Sequence, residues 1–308
     1  MPAEIFGERY EFLPREGILT FEEIERVTRV CIELGVTKVR VTGGEPLLRR
    51  EIESLIRSLS SIPGVDDLTL TTNGVLLAEK AQALKSAGLS RITISLDSLD
   101  PDVFRHLAGR DESPEVVLNS IRAAERAELG PVKINAVIKR GVNDHTFVDL
   151  ARHFHESGHI VRFIEYMDVG NRNDWQLDHV VPAEEIVSRI NDILPLEPIG
   201  PNYQGEVARR YRYRDGGGEI GVIASVTQPF CGDCTRLRLS TDGKLFTCLF
   251  GSSGTDLRDF LREGASDQDL RGRIESVWLK RTDRYSEERT GKTLVGDVKK
   301  VEMYQIGG

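Results

Sequence analysis

Cysteine is scarce and unevenly placed. Of 308 residues four are cysteine: Cys31 stands alone, while Cys231, Cys234 and Cys248 crowd towards the C-terminus. That spacing excludes a spread disulfide framework and predicts reduced thiols available to a metal. Long apolar runs are also missing. None approaches the ~18 residues of a membrane helix, and the opening residues MPAEIFGERY lack the apolar core of a signal peptide. Positive charge is in the minority, with 41 Lys and Arg against 49 Asp and Glu and a net charge of −8. This argues against a nucleic-acid coat and leaves room for a local basic pocket. There is no Walker loop, no GxGxxG turn, no repeat of fixed period and no low-complexity tract. A soluble cytoplasmic protein, large enough to bury its own core and with neither nucleic-acid nor membrane partner, is expected.

What is present is a regular alternation of elements. Thr20 followed by Glu23 is a capping box that opens a helix over 20–34. Strands are predicted at 38–42, 67–73, 91–97, 132–138 and 159–166. Helices are predicted at about 48–60, 78–88 and 146–156, with another after Ser113-Pro114, where proline suits the first turn. Five β-runs separated by helices imply an α/β fold with parallel crossovers. After residue 170 the pattern changes to a polar linker over 171–181, a helix near 182–193 and the basic, aromatic run ARRYRYR at 208–214. Residues 1–170 are therefore expected to form one domain and 171–308 a smaller second one.

Parallel strands covered on both faces usually read as continuous apolar runs. These alternate instead. Val39 and Val41 oppose Lys38, Arg40 and Thr42; Leu68 and Leu70 oppose Thr69, Thr71 and Asn73. Ile92, Ile94 and Leu96 oppose Thr93, Ser95 and Asp97; Ile134 and Ala136 oppose Lys133 and Asn135; Phe163 opposes Arg162. One face of every strand is polar or cationic, so the apolar face meets the helices and the polar face lines the inside of a curved sheet. Lys38, Arg40, Lys133 and Arg162 there suit a phosphate-bearing ligand. The competing accounts are an open antiparallel sheet with one wet face, which the intervening helices argue against, and ordinary ion pairing to Asp97 and Glu165.

Two segments add chemistry. TGGEPLLRR, 42–50, follows a strand end, where its glycines allow close approach of a ligand or simply a tight turn into a helix. Cys231 and Cys234 form a C-x2-C pair with Cys248 thirteen residues beyond it. Three thiolates suit an iron–sulfur cluster with one open iron, or zinc with a distant fourth ligand. A thioredoxin-like redox pair fits poorly, since the pair opens no helix. Arg236 and Arg238, between the cysteines, share one face of an apparent strand. Cys31, on an apolar helix face, reads as core.

Together VTGGEPLLRR, LTTNG, SLDSLD, VKINAVI, RFIEYMDVG, FCGDCTRLRLSTDGKLFTCLF and the terminal Gly-Gly resemble the GTP 3′,8-cyclases of molybdenum cofactor biosynthesis, members of the radical S-adenosylmethionine (SAM) superfamily. The resemblance implies a radical SAM (β/α) barrel, incomplete here, with a C-terminal iron–sulfur domain. It implies SAM contacts at Gly44, Ser95 and Met167. It implies GTP contacts at Arg40, Thr71, Lys133, Arg236 and Arg238, with Lys38 and Arg162 as further triphosphate contacts. Cys231, Cys234 and Cys248 would ligate a [4Fe–4S] cluster, and the terminal glycines would reach into the site. An electron donor and a homodimer are likewise implied.

The family's C-x3-C-x2-C motif directly precedes a Met-Pro pair, and this sequence opens on Met1-Pro2. The resemblance therefore implies that the three catalytic-cluster cysteines and the first barrel strand are absent, and that the chain is an inactive, N-terminally truncated form. The alternatives are a non-catalytic purine-nucleotide binder with one cluster, and a zinc-stabilised structural domain.

Overall fold

The computed structural model describes residues 14–109, 111–170, 175–289 and 301–306. The predicted capping box is present: Thr20 N–H donates to Glu23 Oε2 at 2.8 Å and Glu23 N–H to Thr20 Oγ1 at 3.2 Å. It opens α1, Phe21–Glu33. There follow β1 (Lys38–Val41), α2 (Ile52–Ser60), β2 (Asp67–Thr72), α3 (Leu77–Ser86) and β3 (Arg91–Ser95). Next come α4 (Pro101–Ala108), α5 (Pro114–Arg126), β4 (Lys133–Ile138), α6 (Phe147–Phe154) and β5 (Ile160–Glu165). Each of the five predicted strands is found, shorter by one or two residues. Helix α4 has no counterpart in the sequence reading, although Asp100 caps it and Pro101 starts it.

Beyond residue 170 the chain forms α7 (Ala183–Asn191), then β6 (Leu196–Ile199), β7 (Arg209–Tyr213) and β8 (Glu219–Ile223). These strands continue the first sheet. Its order is β1-β2-β3-β4-β5-β8-β7-β6, with β8 parallel to β5 and the last two pairings antiparallel. The basic, aromatic run is thus β7, a strand near the sheet's far edge. The remainder forms β9 (Arg238–Leu239), β10 (Lys244–Phe246) and β11 (Thr255–Asp256) in a small antiparallel sheet, then α8 (Arg258–Arg262), α9 (Asp267–Leu279), α10 (Tyr285–Glu288) and α11 (Met303–Ile306).

Two apolar cores explain the arrangement. The larger lies between the helices α2, α3, α5, α6 and α7 and one face of the sheet, with Leu70, Ile94, Ile134 and Phe163 fully buried. The smaller joins Leu19, Val27 and Val30 of the α1 region to Leu245, Leu257, Leu270 and Ile274. Helix α1 therefore serves both cores. Polar contacts reinforce the second junction: Arg26 pairs with Asp267 at 2.6 Å and Arg262 with Glu23 at 2.7 Å. Cys31 packs against this core, and burial holds its thiol up at about 11, so it is inert. Among the described residues no helix is long and apolar enough to cross a membrane.

Candidate functional site

The face of the sheet turned away from the helices carries the expected polar row. Strand register places Arg40 beside Thr69 and Arg91, then Thr71 beside Thr93 and Lys133, then Ser95 beside Asn135, Arg162 and Gly221. Arg40 reaches up one row, its Nη1 2.9 Å from Thr71 Oγ1 and 3.3 Å from Thr93 Oγ1. Arg162 reaches down, with Nη2 3.4 Å from Thr93 Oγ1 and Nε 2.9 Å from Asn135 Oδ1. The buried Thr93 hydroxyl thus sits between two guanidinium groups. Gly221 makes room for one of them, since a Cβ there would stand 3.2 Å from Arg162 Cγ.

Most of these cations have no ion pair among the described residues. Arg91 pairs with Asp67, but Lys38, Arg40, Lys133 and Arg162 meet no described carboxylate within ion-pair distance. The competing account named Asp97 and Glu165, and neither serves. Asp97 Oδ1 accepts Val137 N–H at 2.8 Å, and burial pushes its carboxyl up to about 6. Glu165, fully buried, accepts from Ala183 N–H at 2.8 Å, Val226 N–H at 2.7 Å, Thr227 N–H at 2.9 Å and the Thr227 hydroxyl.

The field left behind is visible in the groups themselves. Burial, then Arg162 and Arg91, pull Lys133 down to about 8. Burial, then Arg40, pull Arg162 down to about 10. Arg40 is open to solvent along its chain, yet lies low in a concave surface; burial and then Arg91 lower it. Phe230, just before the cysteine pair, packs against Ile164 and Ile223 of the sheet, and Arg236 also acts on Arg40, so the cysteine segment adjoins this face. Clustered like charges in partial burial are unfavourable unless an anion joins them.

Within the cysteine segment, Cys231 and Cys234 lie on one turn, closed by Cys234 N–H donating to the Cys231 carbonyl at 3.2 Å. Arg236 precedes β9 instead of sharing a strand face with Arg238, and donates to Cys234 Sγ from Nε at 3.3 Å and Nη2 at 3.2 Å. Burial pushes the Cys234 thiol up, but the Arg236 guanidinium outweighs it and the thiol lies below its usual range. Phe250 N–H lies 3.5 Å from Cys248 Sγ, and Arg238 feels both Cys234 and Cys248. Burial, then Arg236, pull Arg238 down to about 10. Among the described residues no three His, Cys, Asp or Glu side chains converge on a single-ion site. Guanidinium and backbone N–H donors aimed at Cys234 and Cys248 suit thiolates that ligate a metal or cluster.

Three expected SAM contacts lie at the strand ends. Gly44 follows β1, in a turn tied to the next strand: Glu45 accepts from Leu47 N–H at 3.0 Å, Thr72 Oγ1 at 2.7 Å and Asn73 N–H at 2.8 Å. Both readings of that turn therefore stand, because Glu45 also caps the short helix Pro46–Leu48. Ser95 ends β3, and Met167 follows β5 in an apolar patch with Val137, Ile164 and Phe230. Next to it Asp168 pairs with Arg289 at 2.7 Å, both buried, and Arg289 lies 5.2 Å from the Phe250 ring. The terminal Gly307 and Gly308 lie outside the described residues. Sequence reasoning placed Thr93 and Asn135 on this face without giving them the role of holding Arg40 and Arg162, and it missed Arg91, which adds to the positive field, and Tyr203, whose ring covers Lys38.

Comparison with known proteins gives two family matches along the chain. Residues 5–154 match the radical SAM superfamily and residues 159–287 the Molybdenum Cofactor Synthesis C family. A GTP 3′,8-cyclase of Acidothermus cellulolyticus is 50% identical over 331 aligned positions, covering 100% of this chain and 91% of that protein. One from Staphylococcus carnosus is 45% identical with the same coverage. In structure, Streptococcus suis SuiB bound to S-adenosylmethionine superposes with a TM-score of 0.60 at 14% identity, over 94% of this chain and 66% of that one. The native anSMEcpe structure with bound AdoMet and Cp18Cys peptide gives 0.55 at 12% identity, over 90% and 78%. These two show a shared fold.

Proposed function

The chain belongs to the GTP 3′,8-cyclase family of radical SAM enzymes, which places it in molybdenum cofactor biosynthesis, and we propose that its cationic face and cysteine segment together bind GTP for conversion, with SAM, to (8S)-3′,8-cyclo-7,8-dihydroguanosine 5′-triphosphate. The observation that carries this reading is the set of cations, Lys38, Arg40, Lys133 and Arg162, that have no carboxylate within ion-pair distance among the described residues and face a segment with three thiols. Phosphate oxygens would supply the anionic acceptors that these donors do not find among the described residues. Arg40 and Arg162 are held in place by Thr71, Thr93 and Asn135, so little ordering remains to be done when the triphosphate arrives. Thr71 acts in this reading through Arg40. Arg236 and Arg238 extend the cationic surface to Cys231, Cys234 and Cys248, which would hold a [4Fe–4S] cluster. When bound, that cluster would offer iron to the base, and Gly44, Ser95 and Met167 at the strand ends would hold SAM, whose cleavage to a hydrogen-abstracting radical would need an external electron donor and a further cluster. Val137, Ile164 and Phe230 give an apolar wall beside the phosphates, suited to a base and to excluding water.

Anaerobic reconstitution with iron and sulfide counted per chain, alongside GTP binding, tests the reading. About four irons with matching sulfide are expected; one zinc without sulfide would leave the zinc-stabilised domain as the better account. The 308 residues contain no C-x3-C-x2-C run, so these residues alone are expected to bind GTP without cleaving SAM. Formation of 5′-deoxyadenosine above background with SAM and a strong reductant would refute that expectation.

A further inference from the structure

The loop between β6 and β7 lies over the cationic face, and the binding reading gives it no role. Its Tyr203 ring sits on Lys38, with Nζ 3.2 Å from the ring centroid, while 43% of the residue stays exposed. The ring's quadrupole attracts the ammonium and occupies one side of it. The loop is internally tied: Glu206 N–H donates to the Tyr203 carbonyl at 3.2 Å, and Asn202 N–H to Glu206 Oε2 at 2.6 Å. Gly205, at φ +79°, lets the loop press on the cysteine segment, since a Cβ there would stand 3.0 Å from Thr235 Oγ1 and 3.2 Å from the Asp233 carbonyl oxygen. Between them lies a depression of about 230 Å³ lined by Tyr203, Glu206, Phe230 and Asp233 among others. Glu206 acts on both Lys133 and Arg162 without pairing directly with either.

Resting on the reading of this face as a polyphosphate site, we propose that Tyr203 and Glu206 form an anion-responsive gate. The ring on Lys38 and the carboxylate near Lys133 and Arg162 hold the loop closed, and an incoming polyphosphate displaces both. Lys38 then exchanges an aromatic face for a phosphate oxygen, which is the stronger partner. A ligand that binds the open loop has its affinity lowered by the fraction of chains that are open. Weakening the closed contact therefore tightens binding, the reverse of what removing a ligand-binding residue does.

Calorimetric titration with inorganic tripolyphosphate, which has no base to stack, tests this on four chains. Tyr203→Ala and Glu206→Gln are each expected to bind about threefold or more tightly than wild type, while Tyr203→Phe, which keeps the ring, stays close to wild type. Unchanged or weaker binding by Tyr203→Ala or by Glu206→Gln overturns the gate. Wild type and variants alike failing to bind tripolyphosphate overturns the polyphosphate reading as well. Wild-type binding with unaltered variants leaves that reading intact and removes the gate alone.

Discussion

At the scale of single residues, Lys133 shows how a site can be read from the difficulty of keeping it charged. Burial and the neighbouring Arg162 and Arg91 bring its ammonium to about 8, against an ordinary value near 10.5. The sign of the consequence is fixed. A bound polyanion favours the charged form, so affinity is full below pH 7 and falls as pH rises through 8. Folding runs the other way: the charged form is disfavoured in the folded chain, so stability rises between pH 8 and 10.5 as Lys133 loses its proton. Tripolyphosphate or GTP affinity measured from pH 6.5 to 9.5 is expected to decline with a midpoint near 8 in wild type. Lys133→Arg should flatten that decline, because a guanidinium keeps its charge. Lys133→Met should lose about tenfold or more in affinity at pH 7 and show no inflection near 8. An inflection that survives in Lys133→Met would assign the titration to another group.

At the scale of elements, Glu165 ties the end of β5 to two later segments, through Ala183 at the start of α7 and through Val226 and Thr227 after β8. A buried carboxylate with several N–H donors is held by charge-assisted bonds. Glu165→Gln places an amide N–H₂ where an acceptor is needed, and is expected to lower stability by about 3 kcal/mol, read from urea midpoints at pH 7. A loss below 1 kcal/mol would mean that these segments are placed by packing alone. Glu165 also illustrates what sequence could convey. Alternation along β1 to β5 was legible because each strand carries its own burial pattern, and so were Arg40, Lys133 and Arg162 as members of one face. The partners were not legible. Glu165 read as a candidate counter-ion for those cations, whereas its donors lie 18, 61 and 62 residues further along the chain. The extension of the sheet by β6, β7 and β8 was hidden for the same reason. In Arg209–Tyr213 arginine and tyrosine alternate only from Arg210 on, and its antiparallel neighbours, Leu196–Ile199 and Glu219–Ile223, make it a strand. Likewise Arg236 and Arg238 read as one strand face, but the first turns back to Cys234.

At the scale of the whole molecule, net negative charge and a strongly positive interior face coexist, and this shapes how the chain should respond to its surroundings. The 49 acidic side chains outnumber the 41 basic ones, yet Arg40, Arg91, Lys133, Arg162 and Arg236 lie in one another's field. Folding brings these cations together at an electrostatic cost that the unfolded chain does not bear. A polyanion bound only by the folded chain removes that cost and adds stability as RT ln(1 + [L]/Kd), about 2.7 kcal/mol at a hundredfold excess over Kd. In a domain of this size that is a rise of several degrees in Tm. GTP and tripolyphosphate should both produce it, while guanosine, without phosphates, should produce little. Moderate sodium chloride should raise Tm of the anion-free chain by screening the same repulsion while shrinking the increment from tripolyphosphate. The two effects must move in opposite directions if the cationic face is their common origin. Equal Tm increments from guanosine and GTP would place recognition in the apolar wall of Val137, Ile164 and Phe230 instead of in the cations.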